Sequence, residues 1–239
     1  MSFGNEGYQP QEYTTADRAT ATDRGQFILK TYLHLLGAII AFIGIETVLQ
    51  ITVAQSIMER MTGRNSNMSL LVAFGLFIFA SHIANKWAHS DTSLTIQYFG
   101  LGLYVLVQAL IFIPILFMAV NHSSPDVLPS AAMSTAFIFC GLTAVVIITR
   151  KNFSFLAPVL GIASMMAIAF IVCSLIFGFN IGIVFTVLMI GLAAGYILYT
   201  TSNILHEYGT HQYVAASLAL FAAVALLFMY ILRLFMSRD

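Results

Sequence analysis

The sequence predicts an all-α membrane protein: one domain of seven transmembrane helices. Hydrophobic residues make up 59% of the 239-residue chain and charged residues only 8%, whereas a soluble domain carries about 25% charged residues. The charged residues lie almost entirely between long apolar runs. Lipid admits only helices and closed barrels as spanning structures, and these runs are too long and continuous for barrel strands. Helices are therefore expected.

Seven apolar runs are each close to the ~20 residues that a helix needs to cross the hydrocarbon layer. No segment between them is long enough for a soluble domain. The predicted spans are residues 30–54, 68–87, 97–120, 129–149, 154–178, 180–204 and 212–236.

The polar stretch 1–26 before the first span is expected to be a disordered N-terminal tail. It is rich in Gly, Gln, Thr and acidic residues, a composition that cannot form a core. It lacks the basic and apolar regions of a secretory signal, and its acidic residues argue against a mitochondrial transit peptide.

Lys and Arg in the loops predict a cytoplasmic N-terminus. Six basic residues then lie inside and four outside, a modest bias. The inside set includes the short-loop pair Arg150 and Lys151. The absence of a targeting signal favours a multi-pass protein of a bacterial inner membrane, in contact with the lipid bilayer.

Glu46 is the clearest candidate for a functional side chain because it lies well inside the first span, with Gln50 one turn later. A carboxylate at lipid depth is costly, so it should face the bundle interior or water, where it could sense protons. The alternative is that Glu46 lies near the interface and extends towards the headgroups. His82, close to Asn85 and Lys86 at the end of the second span, has the same interfacial alternative.

A polar stripe marks the sixth span. Tyr196, Thr200, Asn203 and Glu207 follow one another at i, i+4 and i, i+3 spacing, so they share one face of a helix. Such a stripe could line a water-filled cavity. It could equally hold helices together, because hydroxyls and amides commonly bridge membrane helices.

No catalytic, metal-binding or cofactor motif is found. In His206–His211 the two histidines are five apart, about 140° around a helix, so the segment does not fit the zinc-protease motif. The two cysteines form no CxxC pair. With a net charge of zero and no basic patch, a nucleic-acid partner is not expected. We therefore predict no enzyme, no metal and no cofactor.

Three stretches resemble the Bax inhibitor-1/YccA family of seven-span membrane proteins. Thr149–Leu156 reads Thr-Arg-Lys-Asn-Phe-Ser-Phe-Leu, where the family has Thr-Arg-Lys-Asp-Phe-Ser-Phe-Leu. Leu198–Thr201 resembles the family's Leu-Tyr-Asp-Thr. The last span, from Tyr213 to a Leu-Phe-Met-Tyr-Ile-Leu-Arg ending at Arg233, is similar to the family's last span. The resemblance implies a Bax inhibitor-1-like bundle with the last helix at its centre.

The resemblance also implies two kinds of function. Family members are described as pH-sensitive calcium leaks and as stress or cell-death regulators, and bacterial members are linked to modulation of a membrane-anchored AAA protease. The leak is attributed to two aspartates that share a proton. Here those positions hold Thr200 and Ala223, so that switch is absent, whereas the arginine near the end of the last span is kept as Arg233.

The sequence therefore leaves two interpretations open. The first is a regulatory protein that acts by binding other membrane proteins, such as a membrane-anchored AAA protease or a stress-response partner. The second is a pH-sensitive leak for calcium, another cation or protons, with Glu46 as the titrating group and Tyr196, Thr200 and Asn203 along the path. Arg233 and His82 complete the set of candidate ion-path or pH-sensing residues.

Overall fold

The computed structural model describes residues 15–61, 66–89 and 93–238, which form helices joined by short loops. In the described residues the only strand-like pairing is an isolated antiparallel bridge between Thr15 and Gly209. The helices are α1 (Ala21–Thr52), α2 (Ala54–Met61), α3 (Ser66–Ala88), α4 (Leu94–His122), α5 (Val127–Thr149), α6 (Leu156–Phe177), α7 (Ile183–His206) and α8 (Tyr213–Met236).

Six helices in the described part of the chain are long and apolar enough to cross a membrane: α1, α4, α5, α6, α7 and α8. They coincide with six of the seven predicted spans. The remaining predicted span, 68–87, falls on α3, which has 23 residues but is not among those six. The all-helical prediction is confirmed. The structure adds a short helix, α2, that the sequence analysis did not anticipate.

Helix α1 begins earlier than the sequence suggested. The Thr20 hydroxyl accepts a hydrogen bond from the Asp23 backbone N–H (3.2 Å), which caps the helix start and extends it to Ala21. Part of the expected tail is thus helical or packed, since Ala16 is also fully buried. The first 14 residues of the tail lie outside the described residues.

Helix α8 is the most buried of the six apolar helices. In its most apolar window 67% of residues are buried, against 17–39% in the other five. It packs against α1, α3, α4, α5 and α7. Small side chains allow these close approaches, and Ala215, Ala216 and Ser217 are all fully buried.

An aromatic cluster joins α1, α4 and α8 in the middle of the bundle. Phe42 meets Phe112 and Phe221 edge-on, with ring centroids 5.2 Å and 5.9 Å apart. Phe112 also stacks on Phe228 at 5.9 Å. Offset and edge-to-face pairs of this kind contribute about 0.5–1.5 kcal/mol each beyond area burial. They fix the rotation of α1, which decides where Glu46 points.

The bundle has two ends, and we name them by residues. The Glu207 end holds the α5–α6 and α7–α8 loops and the start of α1. The Arg233 end holds the α6–α7 loop, where Gly178 turns the chain in the left-handed conformation (φ 71°), and the last turns of α1 and α8.

Candidate functional site

Glu46 lies in the interior, near the Arg233 end, with only 4% of its surface exposed. Gln50, one turn later, donates a hydrogen bond from Nε2 to Glu46 Oε2 (3.3 Å) and another to the Ile113 carbonyl of α4 (3.1 Å). The second carboxylate oxygen, Oε1, is buried and has no hydrogen-bond partner. Glu46 therefore faces the bundle rather than the lipid.

Among the described residues, Gln50 is the one side chain that hydrogen-bonds Glu46. Phe42 lies one turn earlier on the same face of α1 and belongs to the aromatic cluster. A buried polar atom without a partner costs free energy, and a carboxylate oxygen costs more than a neutral one. A residue kept at such a cost is a candidate for function rather than for stability.

The polar stripe of α7 contacts neighbouring parts of the bundle. The Tyr196 hydroxyl hydrogen-bonds the Ser164 hydroxyl of α6 (2.8 Å), so it ties α7 to α6. Thr200 and Asn203 are each 8% exposed. The Asn203 carbonyl accepts the backbone N–H groups of Glu207 (2.7 Å) and Tyr208 (3.0 Å), which ends the helix.

Glu46 and the α7 stripe are separate in the structure. The backbones of α1 and α7 do not approach each other closely, and the two helices meet through the Tyr32 side chain near the Glu207 end, whereas α8 packs against both. A single path lined by Glu46 together with Tyr196, Thr200 and Asn203 would therefore have to pass α8. Whether either group handles ions remains a prediction.

A buried hydroxyl cluster near the Glu207 end was missed by the sequence analysis. The Tyr32 hydroxyl of α1 lies beside the hydroxyls of Thr143 on α5 and Thr201 on α7. All three oxygens are buried, and none has a partner in good hydrogen-bond geometry. No periodicity links residues on three different helices, so the sequence carried no signal for this cluster.

The loops at the Glu207 end are fastened to the helix ends. The Ser202 hydroxyl, fully buried, accepts the Phe153 backbone N–H (2.8 Å) and lies 3.5 Å from the Lys151 carbonyl. The Ser154 hydroxyl donates to Glu207 Oε1 (3.0 Å). The Thr149–Leu156 stretch is thus held against the end of α7.

Residues 15–20, here called the N-terminal strap, cross the α7–α8 loop. The Ala16 backbone N–H donates to the Tyr208 carbonyl (3.1 Å), and Thr15 pairs with Gly209. The Tyr208 ring lies beside the His89 ring of α3, with centroids 6.1 Å apart, and burial raises the pKa of its hydroxyl to about 12.

The two remaining predicted residues lie apart from these sites. Arg233 donates from Nη2 to the Ile181 carbonyl (3.0 Å) and so holds the α6–α7 loop. His82 is exposed on α3. In the part of the chain that the structure describes, no three His, Cys, Asp or Glu side chains converge as a metal site would require.

A family model described as "Inhibitor of apoptosis-promoting Bax1" (Bax1-I) matches residues 24–239. The chain belongs to the Bax1-I family. The match covers every helix from the first turn of α1 onward, so the family resemblance seen in three stretches extends across the bundle. The chain is a multi-pass membrane protein of this family.

Three relatives span nearly the whole chain. The "Uncharacterized protein PA2604" of Pseudomonas aeruginosa is 26% identical over 235 residues, which cover 95% of this chain and 96% of the relative. The "Modulator of FtsH protease YccA" of Escherichia coli K12 is 26% identical over 226 residues, which cover 93% and 96%. In Escherichia coli O6:H1 a relative with the same coverage is called "Inner membrane protein YccA". No solved structure gives a significant match.

The structure places both positions at which the family resemblance leads us to expect aspartates. Thr200 on α7 and Ala223 on α8 are buried, 8% and 5% exposed, on two helices that pack together. Neither side chain can ionise at physiological pH. A proton-sharing pair is therefore chemically impossible at these two positions.

Proposed function

We propose that this Bax1-I protein is a membrane-embedded regulator that acts by binding another membrane protein, with a membrane-anchored AAA protease of the FtsH kind as its target. The observation that carries the proposal is the match over 93% of the chain to a relative named as a modulator of that protease. The buried Thr200 and Ala223 support it, because they remove the ionisable pair that a leak of the family type needs.

The Glu207 end is the surface we assign to this binding. Its loops are pinned by Ser202 and Ser154, and the N-terminal strap lies across them. A pre-organised loop surface loses little conformational entropy on binding. Residues 1–14 precede the strap in the sequence, and the proposal includes them in the contact.

The proposal includes a placement in the membrane. We propose seven spans, with α3 as the span additional to the six most apolar helices, and α8 at the centre. The Glu207 end then faces the cytoplasm, as the Lys and Arg distribution indicates. The inner membrane is the proposed location, by analogy with the relative of that name.

Co-purification tests the binding proposal. The full-length chain, tagged at its C-terminus, is extracted from bacterial membranes with its partners, alongside a variant that lacks residues 1–14 and keeps the strap. A variant in which residues 1–14 are scrambled controls for length and composition. We expect the intact chain to retain the AAA protease and both variants to lose it. Equal recovery with all three chains would contradict a role of residues 1–14, and no recovery with any would contradict the proposal itself.

A leak for cations or protons is the second candidate, because Glu46 is 4% exposed and its Oε1 has no partner. An ionisable side chain inside a membrane-spanning helix is a candidate for an ion or proton path. Here the path would run between α1 and α4, where Gln50 links Glu46 to the Ile113 carbonyl. It would not use the α7 stripe.

Flux into proteoliposomes tests the second candidate. Calcium and proton flux are measured between about pH 5 and 8 for the wild type, Glu46→Gln and Glu59→Gln, across the range where perturbed carboxylates titrate. Glu59 is the matched control because it lies exposed on α2, beyond the end of α1. A pH-dependent flux lost only in Glu46→Gln is the expected result for a leak. No flux in the wild type, or the same profile in Glu46→Gln, would overturn it.

A further inference from the structure

Two cavities open on the outer surface of α4, on either side of the same residues. One, of about 370 Å³, lies between α1 and α4, and the other, of about 540 Å³, lies between α3 and α4. Tyr98 and Gly102 line both cavities and form the ridge between them. Tyr98 is 43% exposed, so the pair of grooves faces the surroundings of the bundle rather than its interior.

Residues with small side chains or none leave space for the groove between α1 and α4. Leu33, Gly37, Ala41 and Ile45 follow each other at i, i+4 spacing along its α1 wall. This stripe spans about 18 Å at 1.5 Å per residue. Gly37 and Gly102 both face open space, since a Cβ built at either would meet no atom within 4 Å. The groove is long, narrow and apolar, which suits an acyl chain.

Polar and cationic groups stand at the Glu207 end of this groove. His34 Nε2 and the Tyr98 hydroxyl are 2.8 Å apart, and His34 Nδ1 lies 2.7 Å from the Lys30 carbonyl. A carbonyl can only accept, so Nδ1 carries the proton and Nε2 of the neutral ring accepts from Tyr98. The Lys30 ammonium lies over the Tyr213 ring, 5.5 Å from its centroid. The Lys30 cation therefore stands beside hydroxyl and imidazole groups.

We propose that the two grooves bind one anionic phospholipid. Its two acyl chains lie on either side of the Tyr98–Gly102 ridge, and its phosphate lies near Lys30 and His34. Charge complementarity selects this occupant over a zwitterionic lipid or a partner helix: a Lys near the membrane surface attracts anionic headgroups. The aromatic Trp87, which lines the larger groove at the same end, occupies the headgroup level where Trp is enriched. This proposal is independent of the function proposed above.

The chain supplies its own reporter for this site. Trp87 is the one tryptophan of the sequence and lines the groove between α3 and α4. Brominated acyl chains quench tryptophan fluorescence on contact. The full-length protein is placed in phosphatidylcholine vesicles that contain a minor fraction of brominated lipid, either phosphatidylglycerol or phosphatidylcholine. We expect brominated phosphatidylglycerol to quench Trp87 more strongly at equal mole fraction.

Four variants decide how the selectivity arises. Lys30→Gln should reduce the preference for phosphatidylglycerol about fivefold, the effect expected for one Lys near an anionic surface. Lys151→Gln, an exposed lysine of the α5–α6 loop, is the matched control and should leave the preference unchanged. Gly102→Leu should fill both grooves and weaken quenching by either lipid, whereas Gly141→Leu, where a Cβ also meets nothing, should not.

Each contrary outcome overturns the proposal. Equal quenching by the two brominated lipids in the wild type would mean that only unselective bilayer lipid contacts Trp87. Equal losses in Lys30→Gln and Lys151→Gln would mean that general surface charge, rather than the groove, attracts the anionic lipid. Because Lys30 is exposed, Lys30→Gln should fold normally, and its result stands even if Gly102→Leu does not fold.

Discussion

The two ends of the bundle are held together in different ways. At the Glu207 end, loops, helix ends and the N-terminal strap are joined by hydrogen bonds through Ser202, Ser154 and the Tyr208 carbonyl. At the Arg233 end, Arg233 and the Ser174 hydroxyl donate to the Ile181 and Phe179 carbonyls of one loop, and the buried Glu46 keeps one oxygen without a partner. The Glu207 end is thus built as a defined surface, whereas the Arg233 end contains a costly ionisable group. The Glu207 end is therefore suited to binding a partner, and the Arg233 end is suited to the transfer of protons or ions at Glu46.

The largest expected difference between the ends concerns two glycines. A Cβ at Gly100, at the Glu207 end, would lie 2.6 Å from the Ala88 nitrogen and 2.7 Å from the Ala84 oxygen, both backbone atoms of α3. Gly100→Ala should therefore force α3 and α4 apart and lower the free energy of unfolding by about 1–3 kcal/mol. Gly44 lies in the half of α1 nearer the Arg233 end, and a Cβ built there meets no atom within 4 Å. Gly44→Ala should therefore raise the free energy of unfolding by up to about 1 kcal/mol through its higher helix propensity.

Unfolding in mixed micelles, followed by Trp87 fluorescence, measures both glycine variants. Opposite signs for the two substitutions are the expected result. A loss of similar size in both would contradict the close α3–α4 contact and would indicate a general intolerance of the helices to larger residues.

Two serines test the same contrast with a smaller effect. Ser202→Ala leaves the half-buried Phe153 N–H without its partner, so we expect the free energy of unfolding to fall by about 0.5–1.5 kcal/mol, with faster amide exchange in the α5–α6 loop. Ser237→Ala, at the other end, removes only an exposed hydrogen bond to the Leu234 carbonyl and should change little. Equal effects would mean that the Glu207 end is no better fastened than the Arg233 end.

The Arg233 side chain should stabilise mainly the α6–α7 loop, which it contacts. Arg233→Met removes the hydrogen bond to the Ile181 carbonyl, and we expect a loss of about 1 kcal/mol with faster exchange confined to the α6–α7 loop. Arg238→Met, in the exposed chain end five residues on, is the control and should have no effect. Faster exchange in the loops of the Glu207 end instead would show that the two ends are coupled.

The smallest effect concerns Asp17 in the N-terminal strap. The Thr15 hydroxyl donates to its carboxylate (2.5 Å), which lowers the pKa of Asp17 below its ordinary value. A lowered pKa in the folded state stabilises the strap above the ordinary pKa of an aspartate. That contribution is lost as the pH falls through the folded-state value. Amide exchange at Ala16, corrected for intrinsic rates, should therefore accelerate in acid, and Asp17→Asn should remove the pH dependence.

Much of the fold could be predicted from the sequence because lipid constrains it strongly. Apolar length alone located α8 within one residue of its start. The start of α1 was missed although Thr20 and Asp23 form a capping pattern. A polar N-terminus was interpreted as a tail, and the cap inside it was overlooked.

The sites were harder to predict than the spans because they depend on helix rotation. A buried carboxylate such as Glu46 can be inferred from its depth in a span. The Tyr32 hydroxyl cluster, the strap and the grooves beside Gly102 each bring together residues from separate segments. Periodicity within one helix does not show which residues of different segments come into contact.

Photocrosslinking from the two ends tests the central claim, that the Glu207 end binds the partner. A photoreactive amino acid is placed at the exposed Glu207 in one chain and at the exposed Ser237 in another, and both chains are irradiated in bacterial membranes. The account predicts crosslinks to a membrane-anchored AAA protease from position 207 and none from position 237. Crosslinks to that protease from position 237 alone, or from neither position, would contradict it.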